Sequence, residues 1–370
     1  MLRSFTDAYS GNFSPDGRTL VITTGLSGDH VEVQILAVGS GKIVRTLRGL
    51  NGRSGLEFRG LVLSPDSTSL ASPRKNGDIV IWDVATGQIK HTFPAPGGNS
   101  AKPAASDIPP VYSPDGRTLA VARPNGDIQI LDSSTGRPQH LLPAHVNTFG
   151  TIAFSPDGTT LATTSAISHV EPAGVTLWDL STGSTLRTLR TARRHATDWL
   201  EQQLTGLTFS PDGKSLATPT FGRDLVIWDL ATGTVRHRRH TPHRGSALNQ
   251  VVFAPDGRTV AESYDLLPDP GYAVRIFDSF TGRLLRTMQG DSIISTGMAY
   301  SRDGRHLITV GINGVIKVWE TSTGKVSTRF PGDPAGLPRV VHVGYSPDRR
   351  LLAMTDRAGG LRIYSIGDAF

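Results

Sequence analysis

Residues 151–190 read TIAFSPDGTTLATTSAISHVEPAGVTLWDLSTGSTLRTLR, and three short signals in this stretch recur along the chain: Ser155-Pro156-Asp157-Gly158, Trp178-Asp179 and Thr182-Gly183. The first lies between two β-rich runs, Thr151-Ile152-Ala153-Phe154 and Thr160-Leu161-Ala162-Thr163, so Pro-Asp-Gly reads as a hairpin turn joining strands a and b. Trp178-Asp179 ends a third run, strand c. Thr182-Gly183 is a second tight turn, where glycine supplies a positive φ, and it leads into an outer fourth run, strand d.

Working outward, further perfect copies of the tetrapeptide begin at Ser14, Ser113 and Ser210, and degenerate copies at Ser64, Ala254, Ser301 and Ser346. The eight anchors are spaced 50, 49, 42, 55, 44, 47 and 45 residues apart, close to the roughly 40–45 of a four-stranded propeller blade. Strand c ends alike in Ile81-Trp82-Asp83, Ile130-Leu131-Asp132, Ile227-Trp228-Asp229, Ile276-Phe277-Asp278 and Val318-Trp319-Glu320. Four of the five tryptophans therefore share one register position, which assigns them to the core. The turn glycine follows five residues later at Gly87, Gly136, Gly183, Gly233, Gly282 and Gly324, with Ser40-Gly41 as a seventh case.

Ser-Pro-Asp-Gly, Trp-Asp and Thr-Gly at fixed offsets resemble the WD-repeat (tryptophan-aspartate repeat) β-propeller family over essentially the whole chain. The resemblance implies four-stranded antiparallel blades and a scaffolding role, since that family mostly assembles complexes. One feature departs from it. Family members carry a Gly-His dipeptide before strand a, whose His joins a Ser/Thr, a turn Asp and the strand c Trp in a hydrogen-bonded network. Only Ala144-His145 approximates it, and Asn replaces the turn Asp in Asn76-Gly77, Asn125-Gly126 and Asn313-Gly314. Asn-Gly favours a type I′ hairpin, and ordinary apolar packing is expected to hold most blades.

The last a-b-c set ends Leu361-Arg362-Ile363-Tyr364-Ser365 and has no strand d, while Leu2-Arg3-Ser4-Phe5 resembles an outer strand with no preceding set. Pairing the two closes the ring and removes exposed sheet edges. The spacing thus predicts one domain over residues 1–370, all-β and eight-bladed. Seven blades, commoner in the family, would orphan a complete set.

The distance from anchor to Trp position is 18 residues in five units but 22, 23 and 23 in the first, fourth and sixth. The b–c loops carry those additions, and the d–a connections carry the remaining variation. Both loop types share one face of a propeller. Insertions confined to one face mark a binding surface in repeat proteins, or else drift in unconstrained loops. Three large features cluster there: the b–c insertions 165–174 and 262–272, and the d–a connection 191–201, which holds Trp199, the one tryptophan outside the register. A partner site follows, with Trp199, Tyr264, Leu266, Leu267 and Tyr272 as apolar anchors and Arg193, Arg194, His195, His243 and Arg244 as a basic rim. In the alternative, Trp199 plugs a gap between blades. The connection from Pro94 to Pro110 reads as a loop rather than a site.

Sharper chemistry is less well supported. Arg236-His237-Arg238-Arg239-His240-Thr241-Pro242-His243-Arg244 could contact phosphates. Residues 234–240 are nevertheless register-equivalent to a solvated outer strand, which makes nucleic acid the lesser partner. The three histidines in that strand and loop have no metal-ligand spacing. The alternative function is a hydrolase or lactonase-like propeller with a metal in the central channel, for which Asp29, Glu171, Asp265, Asp291 and Asp356 are the acids on the variable face. No nucleophile elbow, phosphate loop or His-Glu-x-x-His motif occurs.

Composition agrees. Of 370 residues 37% are hydrophobic, with 41 glycines, no cysteine and a net charge of +6. Disulfides and thiolate chemistry are thereby excluded. No apolar run of about 18 residues reads as a membrane span, and no export signal is legible. The expectation is a monomeric, cytoplasmic, non-catalytic scaffold without cofactor that binds a protein partner. The Arg- and Pro-rich, cysteine-free composition resembles bacterial WD-repeat domains, which often accompany regulatory enzymes.

Overall fold

The computed structural model describes residues 3–6, 8–24, 31–50, 60–74, 78–94, 108–123, 125–144, 151–164, 174–190, 204, 206–220, 224–240, 248–266, 271–290, 295–331 and 340–367. The chain is an all-β, eight-bladed propeller of four-stranded antiparallel blades. In order a to d, blade one is Ala8–Phe13, Thr19–Thr24, Val31–Ala37 and Ile43–Leu50; blade two Val62–Leu63, Ser69–Pro73, Ile79–Asp83 and Ile89–Phe93; blade three Val111–Tyr112, Thr118–Ala122, Ile128–Asp132 and Pro138–Leu142; blade four Ile152–Phe154, Thr160–Thr164, Gly174–Asp179 and Ser184–Arg190. Blade five is Thr208–Phe209, Ser215–Pro219, Asp224–Asp229 and Thr234–His240; blade six Leu248–Phe253, Thr259–Asp265, Tyr272–Asp278 and Leu284–Gln289; blade seven Ser295–Tyr300, His306–Gly311, Ile316–Glu320 and Val326–Phe330. Blade eight is Val340–Tyr345, Leu351–Asp356 and Leu361–Ser365, and the N-terminal strand Arg3–Phe5 completes it, with Ser4 opposite Arg362 and Phe5 opposite Leu361.

Two compact units divide the chain: Met1–Thr148 with Val341–Asp368, and Phe149–Val340 with Ala369–Phe370. Within each unit the cores lie between successive blades, because alternation along strands b and c sends apolar side chains to both faces of a sheet. Trp82 packs with Val21, Val33, Ile35 and Leu47 of blade one. Trp228 packs likewise with Val175, Leu177 and Leu189 of blade four. The Trp position thus faces the preceding blade.

The anchor turns are held by their own side chains. In seven of the eight, the anchor serine Oγ donates to the turn aspartate at 2.5–2.7 Å, Ser14 to Asp16 being one case; Ala254 is the exception. The same Ser14 Oγ accepts the Thr19 N–H, and Asp16 accepts the Arg18 N–H. Those bonds lower the Asp115 and Asp157 carboxyls below the usual range.

The type I′ expectation for the Asn-Gly turns requires correction. Gly126 and Gly314 have φ of 86° and 77°, but Asn125 and Asn313 are not among the positive-φ residues. Each turn closes instead by an N–H to carbonyl bond three residues back, Gly126 to Arg123 and Gly314 to Gly311, with glycine alone in the left-handed region. Asn76-Gly77 lies outside the described residues.

Candidate functional site

Four buried tryptophans bond across their sheet to a strand b hydroxyl: Trp82 Nε1 to Ser72 Oγ, Trp178 to Thr163, Trp228 to Thr218, each 3.0 Å, and Trp319 to Thr309 at 2.9 Å. A buried indole N–H needs such a partner. Apolar packing alone therefore does not hold these four blades, which corrects the expectation for half of the molecule. In blade seven the network extends further: Tyr272 of blade six places its hydroxyl 2.7 Å from Thr309 Oγ1.

The acid after the Trp position has a local task in each of four blades. Asp83 accepts the N–H and hydroxyl of Thr86; Asp132, Asp229 and Asp278 do the same for Thr135, Thr232 and Thr281. Hydroxyl and backbone donors bring Asp132 down to about 2, and the Thr232 N–H followed by Arg236 does so for Asp229. These carboxylates fix the c–d turns and are spent there.

Strand d then reaches the next blade. Arg45 Nε donates to the Ala85 carbonyl at 2.8 Å, His91 Nε2 lies 2.6 Å from the Ser134 carbonyl, and Arg286 Nε donates to the Ser322 carbonyl at 2.9 Å. His237 makes the equivalent bond to Phe280 O at 2.5 Å. The turn glycine takes this side chain at close quarters: a Cβ on Gly282 would come within 2.6 Å of the His237 ring. Residues 236–240 of the basic run are engaged locally as well. Arg236 pairs with Asp229 and lies 5.3 Å over the Phe280 ring, Arg238 and His240 both contact buried Asp224, and Arg239 donates to the Gly282 carbonyl.

Repeated turns, the Trp–hydroxyl bond and the strand d contact define a WD-repeat propeller, and the chain belongs to the WD40-repeat β-propeller family. The model of the WD domain, G-beta repeat, matches residues 136–166 and 282–320. Among curated relatives, Autophagy-related protein 16 of Arabidopsis thaliana is 25% identical over 49% of this chain and 40% of its own length. COMPASS component SWD3 of Saccharomyces cerevisiae is 27% identical over 52% and 57%, so the matched segments span about half of these two proteins. The guanine nucleotide-binding protein subunit beta of Solanum tuberosum is 24% identical over 86% of this chain and 83% of its own length.

Of the expected partner site, Arg193, Arg194, His195, Trp199, His243, Arg244 and Leu267 lie outside the described residues. Tyr264, Leu266 and Tyr272 are 3%, 8% and 1% exposed. Tyr264 and Leu266 pack against Leu225 and Ile227 of blade five, whereas Tyr272 packs with Trp319 of blade seven. These three are core residues, not exposed anchors. Residues 262–265 and 272, read as loop insertion, instead prolong strands b and c of blade six, with Asp265 opposite Tyr272.

Strand b of blade six carries Glu262 where the four tryptophan blades carry the hydroxyl, and strand c carries Phe277 in place of Trp. Glu262 is 0% exposed and directly opposite Arg275, whose Nε donates to it at 2.7 Å. Arg275 also lies 4.7 Å over the Tyr264 ring. Burial pushes Glu262 up to about 7 against the opposing effect of Arg275. Among the variable-face acids, Asp356 accepts the N–H groups of Ala358 and Gly360 in its turn, Asp265 is buried, and Asp29, Glu171 and Asp291 lie outside the described residues. Among the described residues no three His, Asp or Glu are placed to hold a metal ion. No helix among them is long and apolar enough to cross a membrane.

Two cavities lie beside blades one and three, two of the blades in which the pair is missing. Leu36 and Leu131 stand in the Trp position of blades one and three, with Ile22 and Val121 in the hydroxyl position. A cavity of about 640 Å³ is lined by Ile22 and Gln34, and another of about 350 Å³ by Val121, Gln129 and Leu131. Sequence reasoning passed over both, although Leu in the Trp register together with an apolar residue for Ser/Thr was the legible signal.

Proposed function

We propose that the protein is a protein-interaction scaffold, a single WD-repeat domain over residues 1–370, that presents its b–c and d–a loops to a protein partner in a bacterial regulatory complex. It acts in the cytoplasm as a monomeric propeller and catalyses no reaction. One observation carries this reading: chain length varies only in the b–c hairpins and d–a connections, while the Trp position and turn glycine stay five residues apart in all seven measurable units. The turns at the other end are committed to capping and to holding the next blade, as with Asp132 and His91, so variation is tolerated only where the loops are uncommitted. The names of two relatives, a COMPASS component and a guanine nucleotide-binding protein subunit, describe members of assemblies.

Trp199, Leu267 and the cations Arg193, Arg194, His195, His243 and Arg244 supply the contact surface, an apolar anchor within a basic rim. Wild type and the Trp199→Ala/Arg194→Ala variant should differ in co-purification from native lysate: a partner held by the wild type is lost or weakened at least tenfold in the variant. Retention of every captured protein by the variant would remove this surface from the account.

A further inference from the structure

The cavity between blades two and three sits where blade two places Trp82 and Ser72 in its own sheet. With Leu131 and Val121 in that position, the indole and its hydroxyl partner are both gone, and neighbouring side chains have not collapsed into the space. Ile79, Val121, Leu131, Phe93 and Pro138 are its larger apolar lining residues, with His91 among the polar ones. Its volume, about 350 Å³, lies at the lower end of the roughly 300–1,000 Å³ of small-molecule sites.

Arg123 enters this apolar space from the end of strand b. Its Nη2 donates to Gln129 Oε1 at 2.6 Å, and Gln129 Nε2 in turn donates to the His140 carbonyl at 2.6 Å. The amide is thereby fixed, and the guanidinium with it. Arg123 Nε is buried without a hydrogen-bond partner, and no carboxylate among the described residues forms an ion pair with this side chain. A buried donor left unmade costs about 1–3 kcal/mol, more for a charged group, and a guanidinium fork matches a carboxylate. From a guanidinium that lines the cavity without a carboxylate partner, held in place by Gln129 and facing the same space as Leu131 and Val121, we infer that blades two and three bind an apolar carboxylate, its chain against Leu131 and Val121 and its oxygens on Arg123. A free medium-chain acid and the carboxyl end of a peptide finishing in leucine share that chemistry.

Calorimetric titration of the full chain with decanoate, decanol and acetyl-Gly-Gly-Leu tests the assignment. Decanoate or the peptide should bind, decanoate at least tenfold more tightly than decanol if it is the occupant; the peptide binding alone assigns the site to peptide ends. Arg123→Gln should abolish the preference for the carboxylate. Val121→Thr/Leu131→Trp, which rebuilds the pair of blade two, should fill the cavity and remove binding while the thermal melt stays equal or rises. Failure of both carboxylates to bind the wild type, or undiminished binding to either variant, overturns the inference.

Discussion

Six anchor turns place glycine at φ between 68° and 73°, and Ser67 and Arg349 hold the same left-handed backbone at 63° and 61°. A side chain there costs about 1–2 kcal/mol relative to glycine. Ser67 recovers part through its Oγ, which accepts the Asp16 N–H at 3.1 Å, and Arg349 part by lying 5.5 Å over the Tyr345 ring. Ser67→Gly and Arg349→Gly should each raise the unfolding free energy by about 0.5 kcal/mol, read by chemical denaturation; a loss at both would show the turns to be unstrained. Glu262 acts with the opposite tendency. Its carboxyl, ordinarily near 4.5, is held at about 7 by burial, so between those values the folded chain keeps a proton that the unfolded chain has released. The resulting stability is complete below pH 4.5 and is lost as pH rises through 7. Glu262→Gln should flatten that slope in a melting profile against pH, whereas parallel profiles would contradict the burial. Glu262→Ala, which removes the carboxylate opposite buried Arg275, should cost about 3–5 kcal/mol. The sequence shows Glu262 in the hydroxyl register, yet not that Arg275 lies opposite, because that pairing depends on where the blade six hairpin turns.

Strands and hairpins were legible because their signals are local. Ser-Pro-Asp-Gly marks a turn through its own side-chain bonds, and Ser113 to Asp115 looks the same in blade three as Ser14 to Asp16 in blade one. Signals that depend on partners read less well. Tyr264, Leu266 and Tyr272 look like an apolar loop patch in one dimension, but pairing of Asp265 with Tyr272 extends the hairpin and turns its aromatic residues toward blades five and seven. The strand Thr234–His240 looks like a solvated basic edge. Its cations in fact contact Asp224, Asp229 and the next blade's turn, because a c–d turn presents carbonyls at the height of the fourth residue after the turn glycine. The cations of this outer strand therefore serve pairing within blade five, through Arg236, Arg238 and His240, and adhesion to blade six, through His237 and Arg239.

Across the molecule, the matched segment 282–320 runs from strand d of blade six through strand c of blade seven, so the sequence repeat is offset by one strand from the blade. That offset leaves blade eight one strand short and the N-terminus one strand over. Arg3–Phe5 makes up the deficit by pairing with Leu361–Ile363, and Phe5 packs on the cluster that holds Leu361, Ile363 and Leu36. Deleting residues 1–6 should lower stability by at least about 1.5 kcal/mol, from the lost Phe packing alone, and leave an open sheet edge prone to association. An unchanged melt and a monodisperse monomer would contradict the closure. Of the ten residues expected on the partner surface, three are buried, because burial of Tyr264, Leu266 and Tyr272 depends on strand pairing, and the other seven lie outside the described residues. What remains is the asymmetry between committed turns and variable loops. Photo-crosslinking from positions 199 and 243, set against positions 66 and 134 in the turns, tests it most directly. Partner adducts should form from Trp199 and His243 and not from Asp66 or Ser134; adducts confined to Asp66 and Ser134 would place the partner on the opposite end of the blades and contradict the assignment of the variable loops as the scaffold's binding face.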